Sequence, residues 1–131
     1  MSADTQQFFT TNPYFLVSDV FASVEHYRDV FGFTFDQFWG EPPQFVILMR
    51  GQVQLMLHQA TGDAGVSPNG KHLHDAYDAC FYVQDVDALH AEYSAKGADL
   101  LGSPKDEAHG CREFLARDPD GYALCFGQAL M

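Results

Sequence analysis

Histidine, cysteine and acidic side chains recur along this 131-residue chain at spacings that raise metal, nucleophilic and acid–base chemistry. His72-Leu-His74-Asp75 sets two imidazoles at i and i+2, which face the same way on a strand. It lies in a Gly/Pro stretch with no third ligand in view, so it reads as surface histidines. His109, Cys111 and Arg112 bring base, thiol and cation close in sequence. Successive strand residues alternate faces, which separates Cys111 from Arg112 and argues against a Cys-His nucleophile pair. Cys80 and Cys125 sit inside apolar runs, where a thiol packs as a small hydrophobe. Three cysteines without a C-x-x-C pair suit a reducing cytoplasm. The chain has no G-x-S-x-G, G-x-x-x-x-G-K or G-x-G-x-x-G, which removes serine-hydrolase and phosphate-loop chemistry.

Eighteen acids against seven bases give a net charge of −11, scattered along the chain. Such a field repels nucleic acid and anionic membranes and concentrates a cationic ligand, although an acidic surface also serves plain solubility. The start has no basic segment before an apolar one, and the longest aliphatic run is residues 45–49. Neither a secretion signal nor a membrane span is expected.

The elements that must position these groups occur twice. Val17-Ser18-Asp19-Val20 returns sixty-six residues later as Val83-Gln84-Asp85-Val86. Each copy follows an alternating apolar run and is followed by a Tyr (Tyr27, Tyr93) and then a Gly (Gly32, Gly97). Strand, N-cap, helix and C-cap are legible in that order. The pattern predicts a strand over 12–17, a helix over about 20–31, strands over 33–39, 45–49 and 53–58, and a linker over about 61–77 able to act as a flap. A strand over 78–83, a helix over about 86–96 and strands over 98–101, 111–117 and 122–126 follow, with residues 1–10 left as a loose arm or an edge strand. Both halves are β-α-β-β-β, in one domain spanning 1–131 with modules at about 10–60 and 78–131. Neither half can easily bury its own sheet face, so the two are expected to share one concave surface. Parity puts Phe15, Val17, Phe81 and Val83 toward the helices, and Asn12, Tyr14, Asp78, Tyr82 and Cys125 toward the concavity. Tyr14 and Tyr82, read as equivalent places in the two halves, together with Trp39 near a strand end, would line an apolar pocket; Trp39 serves equally as a rim residue of a dimer contact.

The paired modules, the Val-x-Asp-Val entrances and the closing Arg117-Asp-Pro-Asp-Gly-Tyr122 turn resemble the vicinal oxygen chelate superfamily of glyoxalases, extradiol dioxygenases and bleomycin-resistance proteins. The stretch from Gly110 to Gly121 is most similar to the last of these. The resemblance implies an α+β fold of two tandem modules forming a curved mixed sheet around a pocket, and a homodimer. It also implies four inward positions that hold the metal in the family's enzymes, which here read Asn12, Met56 (or Gln54), Asp78 and Cys125. One carboxylate, one thiol, one amide and a thioether make an ill-matched donor set. The function the resemblance implies is a metal-free small-molecule binding protein for an aromatic or cationic compound, contacting Asn12, Tyr14, Trp39, Met56, His58, Asp78, Tyr82, Arg112 and Cys125, with Asp78 meeting Arg112 or a ligand amine. The alternative is a metal-dependent lyase, isomerase or dioxygenase with His58, Asp78 and Cys125 as ligands of a divalent metal. No cofactor, nucleic acid or membrane partner is expected.

Overall fold

The computed structural model describes residues 7–62 and 65–130. Most of the expected arm at residues 1–10 therefore lies outside the described residues. Module 1 comprises β1 (Tyr14–Val17), α1 (Val20–Asp29), β2 (Phe38–Trp39), β3 (Phe45–Arg50) and β4 (Val53–Gln59). Module 2 comprises β5 (Ala79–Tyr82), α2 (Val86–Ala95), β6 (Asp99–Leu100), β7 (Lys105–Glu107), β8 (Cys111–Arg117) and β9 (Ala123–Ala129). Each forms its own mixed sheet, in the orders β1-β4-β3-β2 and β5-β9-β8-β6, with β7 paired to β8. The first strand of each is parallel to the last and the remaining pairs are antiparallel.

The duplication is visible atom by atom. Asp19 accepts from the backbone N–H groups of Phe21 and Ala22, and Asp85 from that of Ala88, so both carboxylates cap helices at the same point. The first helical N–H is satisfied from the end of the last strand: Val20 donates to Gln59 Oε1 at 2.8 Å, and Val86 to Gln128 Oε1 at 2.9 Å. Gln59 and Gln128 are thus the same residue of the repeat. Replacing either by Ala should cost about 1 kcal/mol, the usual value of a lost cap. Gln59→Ala should cost more, because Gln59 also donates to the Ser18 carbonyl at 2.7 Å. Urea unfolding of the two variants checks this, and a null effect in both would break the equivalence.

The expected strand over 33–39 shrinks to a single bridge, Thr34 to Met49, and the two residues of β2. Strand β7 was not foreseen, because Lys105-Asp-Glu carries no apolar alternation and pairs only along the edge of β8. The described part of the linker is tied down: Asn69 donates its backbone N–H to Asp78 Oδ1 and its side-chain amide to the Tyr77 carbonyl, and Pro68 is buried. No helix is long and apolar enough to cross a membrane among the described residues.

One core serves both modules. Tyr27, Phe31 and Phe33 of module 1 lie in it with Phe81, Tyr93, Phe114 and Phe126 of module 2. Phe15 stacks on Tyr122 with ring centroids 4.3 Å apart, and Phe31 meets Tyr93 at 5.2 Å. Arg50 closes the seam with a two-pronged pair to Glu92 (2.8 and 2.9 Å) and a bond to the Phe31 carbonyl, which also accepts from the Tyr93 hydroxyl. Gly32 makes this approach possible, since its φ is +78° and a Cβ there would lie 2.6 Å from Arg50 Nη1. The helix-side faces of both sheets bury themselves in this common core, so the aromatic contacts that join the modules, Phe31 with Phe126 and Phe33 with Phe81, lie on that side.

Candidate functional site

The open face of the first sheet gathers Tyr14 and Leu16 from β1, Phe45, Ile47 and Met49 from β3, and Gln54, Met56 and His58 from β4. The alternate residues Phe15, Val17, Val46, Leu48, Leu55 and Leu57 are buried on the other side. Tyr14 is half exposed and stacks with Phe45 (6.1 Å) and His58 (6.3 Å), and Phe45 in turn meets His58 at 6.1 Å. Trp39, also half exposed, pairs in register with Phe45 and extends the array to the sheet edge. His58 Nδ1 sits 2.8 Å from the Gln59 carbonyl oxygen, so the hydrogen belongs on that nitrogen. Asn12 is tied to this sheet by donating to Gln54 Oε1 at 3.2 Å.

The open face of the second sheet carries Cys80 and Tyr82 from β5, Cys111, Glu113 and Leu115 from β8, and Cys125 and Gly127 from β9. Tyr82 is the most exposed, at 73%, while Cys111 and Cys125 are buried. Cys80 pairs directly with Cys125 across the parallel strands. The hydrogen bond between the two thiols holds Cys80 below the usual thiol value and, with burial, pushes Cys125 up, so the two titrate as a pair. All three cysteines are free.

The expected site residues thus divide between two faces. Asn12, Tyr14, Trp39, Met56 and His58 belong to the first sheet, and Tyr82 and Cys125 to the open face of the second. Asp78, just before β5, accepts from the backbone N–H groups of Asn69 and Ala123 at 2.8 and 2.9 Å and meets no cation among the described residues. Arg112 is a correction: it lies on the helix side of β8 and is held by Asp87 of α2 and Asp106 of β7, which raise its pKa. Tyr14 and Tyr82 are not equivalent either. The register pairs Tyr14 with Met56 and Cys80 with Cys125, so the partner of Tyr14 in the repeat is Cys80.

His58, Asp78 and Cys125 do not converge, because His58 is on the other sheet. The four family-type positions fare no better as a metal site within the chain: the Asn12 amide is engaged with Gln54, both Asp78 oxygens are engaged with backbone, and Met56 offers a thioether. What the sequence reading missed is a different cluster. Cys80, Glu113 and Cys125 bring their ligand atoms within 4.8 Å of one another, and His109, Cys111 and Glu113 do the same. Parity holds part of the signal, since residues 111, 113, 125 and 127 share one face of paired strands, but only the pairing of β5 with β9 brings Cys80 beside Cys125. His74 is 92% exposed beside Asp75, and His72, also exposed, lies 3.0 Å from the Ser67 hydroxyl, an arrangement that fits surface histidines.

Two clefts adjoin these faces. One of about 670 Å³ lies at the module seam above the Arg50–Glu92 pair, and of the expected site residues only Tyr82 lines it. The other, about 480 Å³, runs beside Glu113, Leu115 and Tyr77 on the second sheet.

A family model described as the Glyoxalase/Bleomycin resistance protein/Dioxygenase superfamily matches residues 9–126. A search of curated protein sequences gives no match. Among solved structures, TioX from Micromonospora sp. ML1 is 24% identical, with a TM-score of 0.73, over 94% of this chain and 100% of that one. A bleomycin-binding protein from bleomycin-producing Streptomyces verticillus, complexed with copper(II)-bleomycin, is 24% identical, with a TM-score of 0.67, over 95% and 97%. A lactoylglutathione lyase from Agrobacterium tumefaciens is 22% identical, with a TM-score of 0.66, over 92% of each chain.

Proposed function

We propose, for a chain that belongs to the Glyoxalase/Bleomycin resistance protein/Dioxygenase superfamily, a homodimeric binding protein that sequesters a planar aromatic, cationic compound without a metal at the family-type positions. One observation carries this reading: the open face of the first sheet presents Tyr14, Phe45 and His58 as a partly exposed aromatic array, with Tyr14 stacked on the other two rings, Phe45 tilted against His58, and Trp39 beside them. Aromatic faces attract flat rings and cations, and a chain with a net charge of −11 draws cations toward them. The modules of one chain join through their helix-side faces, so a pocket walled by both open faces takes its second wall from a second copy, whose second sheet would bring Tyr82 and Cys125 opposite Tyr14 and Met56. An interface above about 1,000 Å² is expected of such a dimer. The donor set of Asn12, Met56, Asp78 and Cys125 supports binding rather than a metal-dependent lyase or dioxygenase reaction.

Trp39 is the lone tryptophan, so its emission reports ligand directly. Titration of chelator-treated protein with copper-free bleomycin and with a simple planar aromatic cation should give saturable quenching. Tyr14→Ala should weaken the tighter ligand roughly tenfold, the size of one stacking or cation–π contact. Loss of binding on chelation alone, or equal affinity in Tyr14→Ala, would sink the proposal, as would a monomeric mass by light scattering at micromolar concentration.

A further inference from the structure

On the second sheet the chain assembles sulfur and oxygen donors of which the reading above uses only Cys125, as a wall of the pocket. Cys80, Cys125 and Glu113 come from three adjacent strands, β5, β9 and β8, whose register fixes their positions: Cys80 opposite Cys125, Cys125 opposite Leu115, and Glu113 opposite Gly127. Their donor atoms lie within 4.8 Å of one another. We propose that these three residues form a binding site for one thiophilic divalent cation of the zinc class, distinct from the family-type positions and sharing only Cys125 with them.

The chemistry of the donors selects the cation. Two thiolates and a carboxylate suit a borderline-soft d10 ion with tetrahedral preference, whereas calcium and magnesium take all-oxygen shells. Three negative ligands around a 2+ ion also remove the like-charge conflict that two thiolates and a carboxylate would otherwise have at such short range. Of the three residues Glu113 lines the 480 Å³ cleft, so an ion would enter from the carboxylate side, where water would complete its shell.

The surroundings are those of a positioned carboxylate. His109 Nε2 lies 3.0 Å from Glu113 Oε2, and the Glu113 side chain is only 12% exposed, so the outer partner fixes which way the carboxylate points. Gly127 supplies the room. A Cβ at that position would crowd Cys111 Sγ at 2.7 Å while meeting Cys80 Sγ and Glu113 Oε2 at an ordinary contact distance of 3.8 Å, so the glycine lets the neighbouring Cys111 thiol pack beside the cluster. Binding would displace the thiol protons, so affinity should rise with pH.

The test uses full-length protein kept reduced with a phosphine, stripped of metal, and titrated with cobalt(II) and then zinc in the absence of organic ligand, which keeps its outcome separate from that of the bleomycin titration. One cobalt per chain should bind with thiolate-to-cobalt charge-transfer absorption and tetrahedral ligand-field bands, and zinc should displace it. Cys80→Ser and Glu113→Gln should each lose more affinity than the roughly 10–100-fold that removal of an outer partner costs, and His109→Ala should fall within that range at unchanged stoichiometry. Circular dichroism checks that the variants are folded. In the unmodified chain, zinc should also protect Cys80 from alkylation, a readout that needs no variant. Cobalt bound without thiolate absorption, affinity indifferent to Cys80→Ser and Glu113→Gln, or unaltered alkylation of Cys80 at saturating zinc would overturn the assignment.

Discussion

Phe126→Ala should lower the stability of the whole chain by about 3–5 kcal/mol, the range for truncating a buried aromatic, within one cooperative unfolding transition. Phe126 is 2% exposed and its ring lies 6.4 Å from Phe31, 5.7 Å from Phe81, 5.3 Å from Tyr93 and 5.2 Å from Phe114. Phe31 belongs to module 1 and the others to module 2, so the cavity left by the substitution opens where both modules meet. The Tyr93 hydroxyl to the Phe31 carbonyl and the Arg50–Glu92 pair add polar links across the same seam. If each module instead had a sufficient core of its own, urea unfolding followed at Trp39 in module 1 would barely shift while circular dichroism recorded an earlier loss of module 2. Coincident curves displaced together are the expected result; separated ones would reject a common core.

The second large effect concerns Asp118, buried at the closing turn and 6% exposed. Its carboxylate accepts from the hydroxyl of Tyr27 at 2.8 Å and from the backbone N–H groups of Asp120 and Tyr122 at 2.9 Å. Burial outweighs these bonds and raises its pKa from 3.8 to about 6; the same burial, and then Asp118 itself, push the Tyr27 hydroxyl well above its usual value. A carboxyl whose folded pKa is raised binds its proton more tightly when folded. Its contribution is complete below about pH 4 and is lost as pH rises through about 6, an effect on the order of 2–3 kcal/mol. Asp118→Asn keeps an oxygen for the two N–H groups and an amide that the Tyr27 hydroxyl can accept from, yet cannot ionise. The change in unfolding free energy from pH 4 to pH 7 should therefore be more positive in Asp118→Asn than in the parent by that amount, whatever the other acids of this −11 chain contribute to both. Parallel pH profiles for the two proteins would refute the assignment.

Much of this architecture is local in origin and was legible in the sequence. Asp19 and Asp85 cap helices because a short carboxylate reaches N–H groups two or three residues ahead, Gly32 ends α1 with its φ of +78°, and residue parity sorted Phe15 and Val17 from Tyr14 before any coordinates. The family follows from the ordered repetition of those local signals. Tertiary structure decided which surfaces meet. Nothing in the alternation of Phe81 and Phe126 says whether their side of the sheet packs against the other module or away from it; the choice falls to the core that buries the most aromatic area, where Phe126 meets Phe31 and Phe81 meets Phe33. Arg112 was separated from Asp78 for a related reason, since strand parity puts it on the helix side, where Asp87 of α2 and Asp106 of β7 claim its guanidinium. The thiol cluster likewise depends on register: Cys80 and Cys125 are forty-five positions apart, and only the parallel pairing of β5 with β9 sets them side by side with Glu113. Sequence fixes the face a residue occupies through its own backbone, while its neighbours on that face are settled by strand pairing between distant segments, where the hydrogen bonds and burial of the whole sheet are decided at once.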